Sequence, residues 1–369
     1  MADKTYRILV INPGSTSTKV GVFDGETEVF TKNVSHEAEK LAEFASVSDQ
    51  MPYRRDLILG ALEENGVALE TIDAFVGRGG GLLALEGGTY AVNDVMLDHA
   101  YRGANGVQHP AQLGSQLANA FATAAGKPAF VVNPPDTDEL CDLARMTGIK
   151  GVYRNVHLHA LNLKETAIRH AHGMGKRYDE CNFIVCHIGG GISISAHQQG
   201  KMIDGYDIVQ GEGAMAPTRC GAVPVAGILD YLEAGHSIKE ARALCMKTGG
   251  FVDLLGTSDA IEVSQRAADG DAAAARAWNA MLYQLNKYIG SMATVLGGKV
   301  DGILLGGGMV HNKELVKSIE DNCGWIAPVS AYPGEFELEA MAAGAIRVLD
   351  GEEEAKTYTG VPVFQGFED

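Results

Sequence analysis

Arg7-Ile8-Leu9-Val10-Ile11-Asn12-Pro13-Gly14-Ser15-Thr16-Ser17-Thr18-Lys19-Val20-Gly21-Val22-Phe23-Asp24-Gly25 is the stretch that decides how this chain folds. It opens on a continuous aliphatic run, the pattern of a strand buried on both faces. Asn12-Pro13-Gly14 ends that run, and Val20-Gly21-Val22-Phe23 supplies a second strand. Asp24-Gly25 is a hairpin signal, and Val29-Phe30 provides a third strand. The reading is a three-stranded meander with a turn of small and hydroxyl residues between its first two strands.

The same design returns at an offset of 175, from Asn12 to His187. There Phe183-Ile184-Val185-Cys186 leads into His187-Ile188-Gly189, and Gly200 falls where Gly25 falls. A match of strand, turn and second turn at one offset points to an internal duplication. At 369 residues the chain exceeds one ordinary core, which agrees with two domains. Apolar runs alternate with helical stretches, so the expected class is α/β. Pro110 starts one helix, continued over 111–125 and stopped by Gly126 and Pro128. Trp278, Leu282, Leu285, Ile289, Met292 and Leu296 recur at helical spacing and mark a second, long one. A strand over 300–305 runs into Gly306-Gly307-Gly308, and a last helix spans about 337–349. The expected domains are 1–152, completed by the C-terminal stretch from about 345 to 369, and 153–344.

Composition bounds the function. The chain is 46% hydrophobic and 21% charged, as ordinary globular proteins are, and carries a net charge of −17. That charge argues against nucleic acid as a partner, though a few arginines and amides can still build a pocket for a small anion. No apolar run reaches the ~20 residues of a membrane span, and the start shows no signal segment. The six cysteines are dispersed without a C-x-x-C pair, which argues against zinc and disulfides and for the cytoplasm.

Three glycine-rich turns follow apolar strands. They are Asn12 to Lys19, His187-Ile188-Gly189-Gly190-Gly191-Ile192-Ser193, and Gly306-Gly307-Gly308-Met309. Glycine admits close backbone approach to an anion, while hydroxyls and amides donate hydrogen bonds. None fits the Walker pattern, and none opens a helix as a dinucleotide fingerprint must. A solvated hairpin loop is the plain alternative for the first turn.

Taken with these turns, Arg78-Gly79-Gly80-Gly81-Leu82, His159-Ala160-Leu161-Asn162, Arg219-Cys220-Gly221 and Gly256-Thr257-Ser258-Asp259-Ala260 resemble, in order, the signature blocks of the acetate and butyrate kinases. The resemblance runs from about residue 6 to 350. Pro13 and the Arg-Gly-Gly-Gly block are closer to the butyrate and branched-chain acid branch. It implies two duplicated ribonuclease-H-like, actin-like ATPase domains with a nucleotide cleft between them. It also implies transfer of a phosphoryl group from ATP to a short-chain carboxylate, butanoate + ATP = butanoyl phosphate + ADP, with Mg2+. The partners it implies are a short-chain carboxylate, its acyl phosphate and further copies of the chain, with no nucleic acid and no membrane. An acetate or propionate kinase, or an ATPase switch on the same fold, are the alternatives.

Residue by residue, the resemblance makes Arg78 the holder of the carboxylate and Arg219 the clamp on the transferring phosphoryl. His159 and His187 become donors to phosphoryl oxygens, with His157 a neighbour on the same expected strand face. Asn12, Ser15, Ser17 and Lys19 would organise phosphate. Gly189, Gly190, Gly191, Asp259, Gly306, Gly307 and Gly308 would line the phosphate and adenosine pocket. Glu337 and Asn12 would serve the metal, with Glu335 and Glu339 as rivals and a solvated acidic helix start as the equal alternative. Asn133-Pro134 stands where relatives carry Asp-Pro; Asn133 is taken as catalytic, with Asp136 or Asp138 able to share its role. Ile261 replaces a common arginine. Gly79-Gly80-Gly81, lacking side chains, are read as leaving room for a longer acyl tail.

Overall fold

The structure is a computed structural model and describes residues 4–367. The chain divides into two compact units, Met1–Asp138 with Phe336–Asp369, and Glu139–Glu335.

In the first unit, β1 (Arg7–Pro13), β2 (Ser17–Asp24) and β3 (Thr27–Ser35) form the expected antiparallel meander. Ile8, Leu9, Val10 and Ile11 are fully buried, as a two-sided apolar run requires. β4 (Ala74–Gly77) and β6 (Ala129–Val132) extend the sheet in parallel on the other side of β1, and β5 (Thr89–Ala91) closes that edge antiparallel to β6. With a short strand at Lys356–Thr357 outermost, the sheet has seven strands. Helix Leu113–Ala125 buries Leu113, Leu117, Ala118 and Phe121 against it and ends on left-handed Gly126. It is entered through a separate tight turn, Pro110–Gln112, so proline opens the turn and not the α-helix itself. Helix Glu337–Leu349 packs on β1, β2, β4 and β6.

The second unit repeats the plan. β7 (Asn182–Ile188), β8 (Ile192–Gln198) and β9 (Lys201–Gly205) form a meander, with β10 (Gly302–Gly307) and β11 (Val329–Pro333) parallel on the far side of β7. Its order, β11-β10-β7-β8-β9, is that of β6-β4-β1-β2-β3 in the first sheet. Both second strands carry a register irregularity, at Val22/Phe23 and at Ala196/His197. The duplicated α/β architecture therefore stands on strand order as well as sequence offset. Helix Ala272–Val295, capped by Asp271, buries Trp278, Leu282, Leu285, Ile289 and Met292 against this unit's core.

The limit between the units falls at Asp138/Glu139, ahead of the 152/153 expected. Leu140, Ala144, Val156 and Leu158 pack with Phe183, Val185 and Leu304, so that segment is core of the second unit. At the far end the whole of helix Glu337–Leu349 sits with the first unit, not only the residues beyond 344. Its buried face is continuous from Leu338 to Ala345, and it cannot be divided between two cores.

Candidate functional site

In the first unit, chain geometry brings Asn12, Arg78, Asn133 and Glu337 together. Asn12 is the penultimate residue of β1, and the Arg78 amide donates to the Ile11 carbonyl at 3.0 Å, which sets Arg78 beside it. Glu337 opens its helix and takes both neighbours. Asn12 Nδ2 donates to its Oε2 at 2.6 Å, and Arg78 Nε lies 3.9 Å from its Oε1. Arg78 Nη1 donates to the Asn133 carbonyl at 3.3 Å. Burial lowers the Arg78 guanidinium from its ordinary value, with Glu337 and Asp136 opposing. Asp136 accepts from Asn105 Nδ2 at 2.6 Å. Of the three glutamates weighed for the metal, Glu337 is the one beside Asn12; the Glu335 carboxylate lies in the second unit.

Two readings change here. The Asn133 side chain is engaged structurally: its Oδ1 accepts from the Gly88 amide at 2.7 Å while its own amide donates back to Gly88 at 3.0 Å. Its φ of 38° lies in the left-handed region, which asparagine tolerates better than most residues. What it offers Arg78 is its carbonyl. Second, the glycines after Arg78 answer a backbone demand. Gly79, Gly80 and Gly81 have φ of 71°, 149° and 71°. A Cβ on Gly79 would lie 2.5 Å from Val131, and one on Gly80 or Gly81 would lie 3.2 Å from Ala111 or Gln112. The space beside them is filled with protein, so their lack of side chains does not open a pocket.

In the second unit His187 is the penultimate residue of β7 and is paired with Ser193 on β8. His159 stands outside any strand, as N-cap of helix Ala160–Gly173, which overturns the strand-face reading for it and His157. Its amide donates to Ser193 Oγ at 3.2 Å, and its Nδ1 lies 2.8 Å from the same oxygen. The two imidazoles stack with centroids 4.1 Å apart and 23° between their planes. Glu335 Oε1 is 3.8 Å from His187 Nε2. His157 is tied instead to buried Asp207, Nδ1 to Oδ2 at 2.9 Å. Ser193 was not singled out by sequence reasoning, although it lies inside a glycine block already quoted.

Arg219 is presented by a tight turn in which Ala216 and Arg219 exchange backbone hydrogen bonds at 3.0 and 3.3 Å. Thr218 Oγ1 donates to the Gly190 carbonyl at 2.9 Å and stitches this turn to the glycine loop. Burial lowers the Arg219 guanidinium from its ordinary value, with Asp207 opposing. Its Nε and Nη1 are buried without a hydrogen-bond partner among the described residues. Donors of that kind suit an anion, because an unmatched buried donor is costly.

A cavity of about 660 Å3 in this unit is lined by Gly189, Gly190, Asp259 and Gly308, by Ile261 where relatives commonly carry arginine, and, beyond the site residues anticipated, by Ser258, Met309 and Asn312. Gly191, Gly306 and Gly307 do not line it. Gly191 packs against Arg219, Gly306 continues β10, and a Cβ on Gly307 would meet the Ile188 carbonyl at 2.4 Å. Asp259 also caps helix Ala260–Ala268, its Oδ1 accepting from the Ile261 amide at 2.8 Å. In the first unit Ser15 is exposed on the turn joining β1 and β2, while half-buried Ser17 and exposed Lys19 stand in the first residues of β2.

The frame defines a class. Among solved structures, Porphyromonas gingivalis acetate kinase aligns with TM-score 0.75 at 20% identity, over 93% of this chain and 100% of that one. A propionate kinase from Francisella tularensis aligns with TM-score 0.69 at 20% identity, over 92% and 98%. The fold is therefore theirs. In sequence, a "probable butyrate kinase" of Clostridium botulinum (strain Eklund 17B / Type B) is 44% identical over 355 residues, 96% of this chain and all of the relative. The family model described as acetokinase family matches residues 142–323, and the chain belongs to that family.

Proposed function

We propose that this chain is an ATP-dependent short-chain fatty acid kinase whose preferred acceptor is butyrate. The observation that carries the proposal is Arg219, a buried arginine whose Nε and Nη1 have no hydrogen-bond partner among the described residues, next to the glycine loop that lines the cavity.

A carboxylic acid is ionised at neutral pH, so the nucleophile needs no strong base. The difficulty is bringing one anion to another, and the remedy is fixed positive charge and positioning. Arg78 binds the acid's carboxylate with its planar fork, oriented by Glu337 and the Asn133 carbonyl. In the second unit the cavity receives the nucleotide. Arg219 steadies the charge that spreads over the transferring oxygens, and the stacked His159 and His187 donate to them, the former's tautomer set by Ser193. Ser15 of the first turn, with Ser17 and Lys19 at the start of β2, donates to phosphoryl oxygens.

Glu337 and the Asn12 side-chain oxygen fit Mg2+, which takes one or two carboxylates and keeps waters and phosphates for the rest. When bound, the ion neutralises phosphate charge. Six free thiols favour a reducing compartment, here read as the cytoplasm. Among the described residues no helix is long and apolar enough to cross a membrane. Helix Val225–Glu233 buries none of its residues and exposes Val225 and Leu229, which supports self-association into a homo-oligomer.

The test is acyl hydroxamate formation from ATP, Mg2+ and hydroxylamine with acetate, propionate, butyrate, isobutyrate and valerate in turn. The expected profile peaks at butyrate. A peak at acetate or propionate would assign the chain to the neighbouring activity, and ATP hydrolysis without hydroxamate would leave an ATPase switch.

A further inference from the structure

Arg54 lies on helix Met51–Glu64, where its neighbours in sequence suggest a solvated face, yet it has no solvent exposure at all. Every hydrogen bond it makes is to a neutral oxygen. Nε and Nη2 donate to Gln50 Oε1 at 3.1 and 2.8 Å. Nη1 donates to the Gly14 carbonyl at 2.9 Å, the Thr18 hydroxyl at 3.0 Å and the Ser17 carbonyl at 3.4 Å. No carboxylate acts on it among the described residues, in a chain of net charge −17. Burial pushes the guanidinium down to about 10, so it remains charged at neutral pH.

An isolated buried charge is expensive, and it persists where something else uses it. Its acceptors identify the user: Gly14 and Ser17 bracket the turn between β1 and β2, and the Gly14 amide closes that turn on the Ser17 carbonyl at 2.7 Å. No peptide bond here is cis, and in a trans peptide carbonyl and amide point in opposite directions. With the Gly14 carbonyl drawn inward to Arg54, the Ser15 amide of the same peptide is directed away, toward the exposed side of the turn where Ser15 and Thr16 stand. Thr18 Oγ1 also lies 2.8 Å from buried His36 Nε2, so the turn is anchored at a second point.

We infer that Arg54 is a positioning residue for phosphoryl transfer: from beneath, it fixes the first turn with its amide outward and places an uncompensated positive charge behind it. This rests on the proposed phosphoryl-binding role of that turn. The charge never touches substrate. It acts through the turn's backbone and through its field, which a low-dielectric interior screens poorly.

Arg54→Met and Arg54→Lys separate geometry from charge. With folding checked by circular dichroism, Arg54→Met is expected to lower kcat at least a hundredfold while KM for butyrate stays within threefold. Arg54→Lys keeps the charge but not the fork and is expected to recover part of the loss. Hydrogen exchange of the peptide covering 12–19 should quicken in both variants. A folded Arg54→Met enzyme with kcat within threefold of wild type overturns the inference; should that variant not fold, the same result in Arg54→Lys does so. If wild type forms no acyl hydroxamate, the functional reading has failed, and the exchange rates still decide whether Arg54 holds the turn.

Discussion

A methyl group placed on Gly191 would lie 1.2 Å from Nη1 of Arg219. The glycine exists to admit the guanidinium, and the pair forms one unit: the loop after β7 makes the space and the turn at 216–219 fills it.

Gly191 has no positive φ, so alanine is acceptable to its backbone and the clash falls on Arg219 alone. Gly191→Ala should therefore cost at least a hundredfold in kcat with only a small change in Tm, approaching Arg219→Ala, for which a loss of ~10³ is expected. Steady-state kinetics on folded protein checks both. An alanine variant with wild-type kcat would show that Arg219 moves without consequence.

Asn133 should tolerate aspartate. The carboxylate still accepts from the Gly88 amide and suits a φ of 38°, so Asn133→Asp is expected to fold and to keep activity within about tenfold. Asn133→Ala loses that acceptor and sits badly in the left-handed region, which should cost about 1–3 kcal/mol in urea unfolding. Equal stability of the alanine variant and wild type would contradict this account.

Gly80→Val should harm the fold and not the choice of acid. At a φ of 149°, with Ala111 3.2 Å from the new Cβ, valine is strained whatever lies beyond. The expected result is a lowered Tm and a similar fall in kcat/KM for butyrate and acetate. A stable variant with a shifted ratio would restore the segment as a determinant of chain length.

His36 gives stability a pH dependence with a definite sign. Burial, then the charge of Arg54, lowers its pKa from 6.5 to about 4. The unfolded chain therefore binds the proton first, and the His36 contribution is present above about pH 6.5 and lost as pH falls toward 4. Replacing it with an untitratable residue, His36→Gln, should reduce the drop in unfolding free energy between pH 7 and pH 5. An unchanged drop would remove His36 from the acid response.

Periodicity and turn chemistry were enough to read the two meanders, the long helix with Trp278 on its buried face, and the duplicated α/β plan, because these depend on neighbours within a dozen residues. The aliphatic run 8–11 and its copy at 183–186 specify buried strands wherever they are placed. The blocks around Arg78, His159, His187 and Arg219 could be singled out in advance only through their resemblance to the signature blocks of the acetate and butyrate kinases, not from local pattern.

Tertiary structure alone decided who meets whom. Glu337 reaches Asn12 across 325 positions of chain, and nothing local separates it from Glu335 or Glu339. That the Asn133 side chain accepts from the Gly88 amide, 45 positions away, is likewise visible only in the folded chain. The glycines after Arg78 looked like empty space until their φ values and packed neighbours were known. Arg54, unmarked by any pattern in the sequence, is fully buried beneath the first turn. A sequence states which residues favour a strand or a turn through local sterics, but burial and pairing are set by packing between segments far apart in the chain, which no local pattern carries.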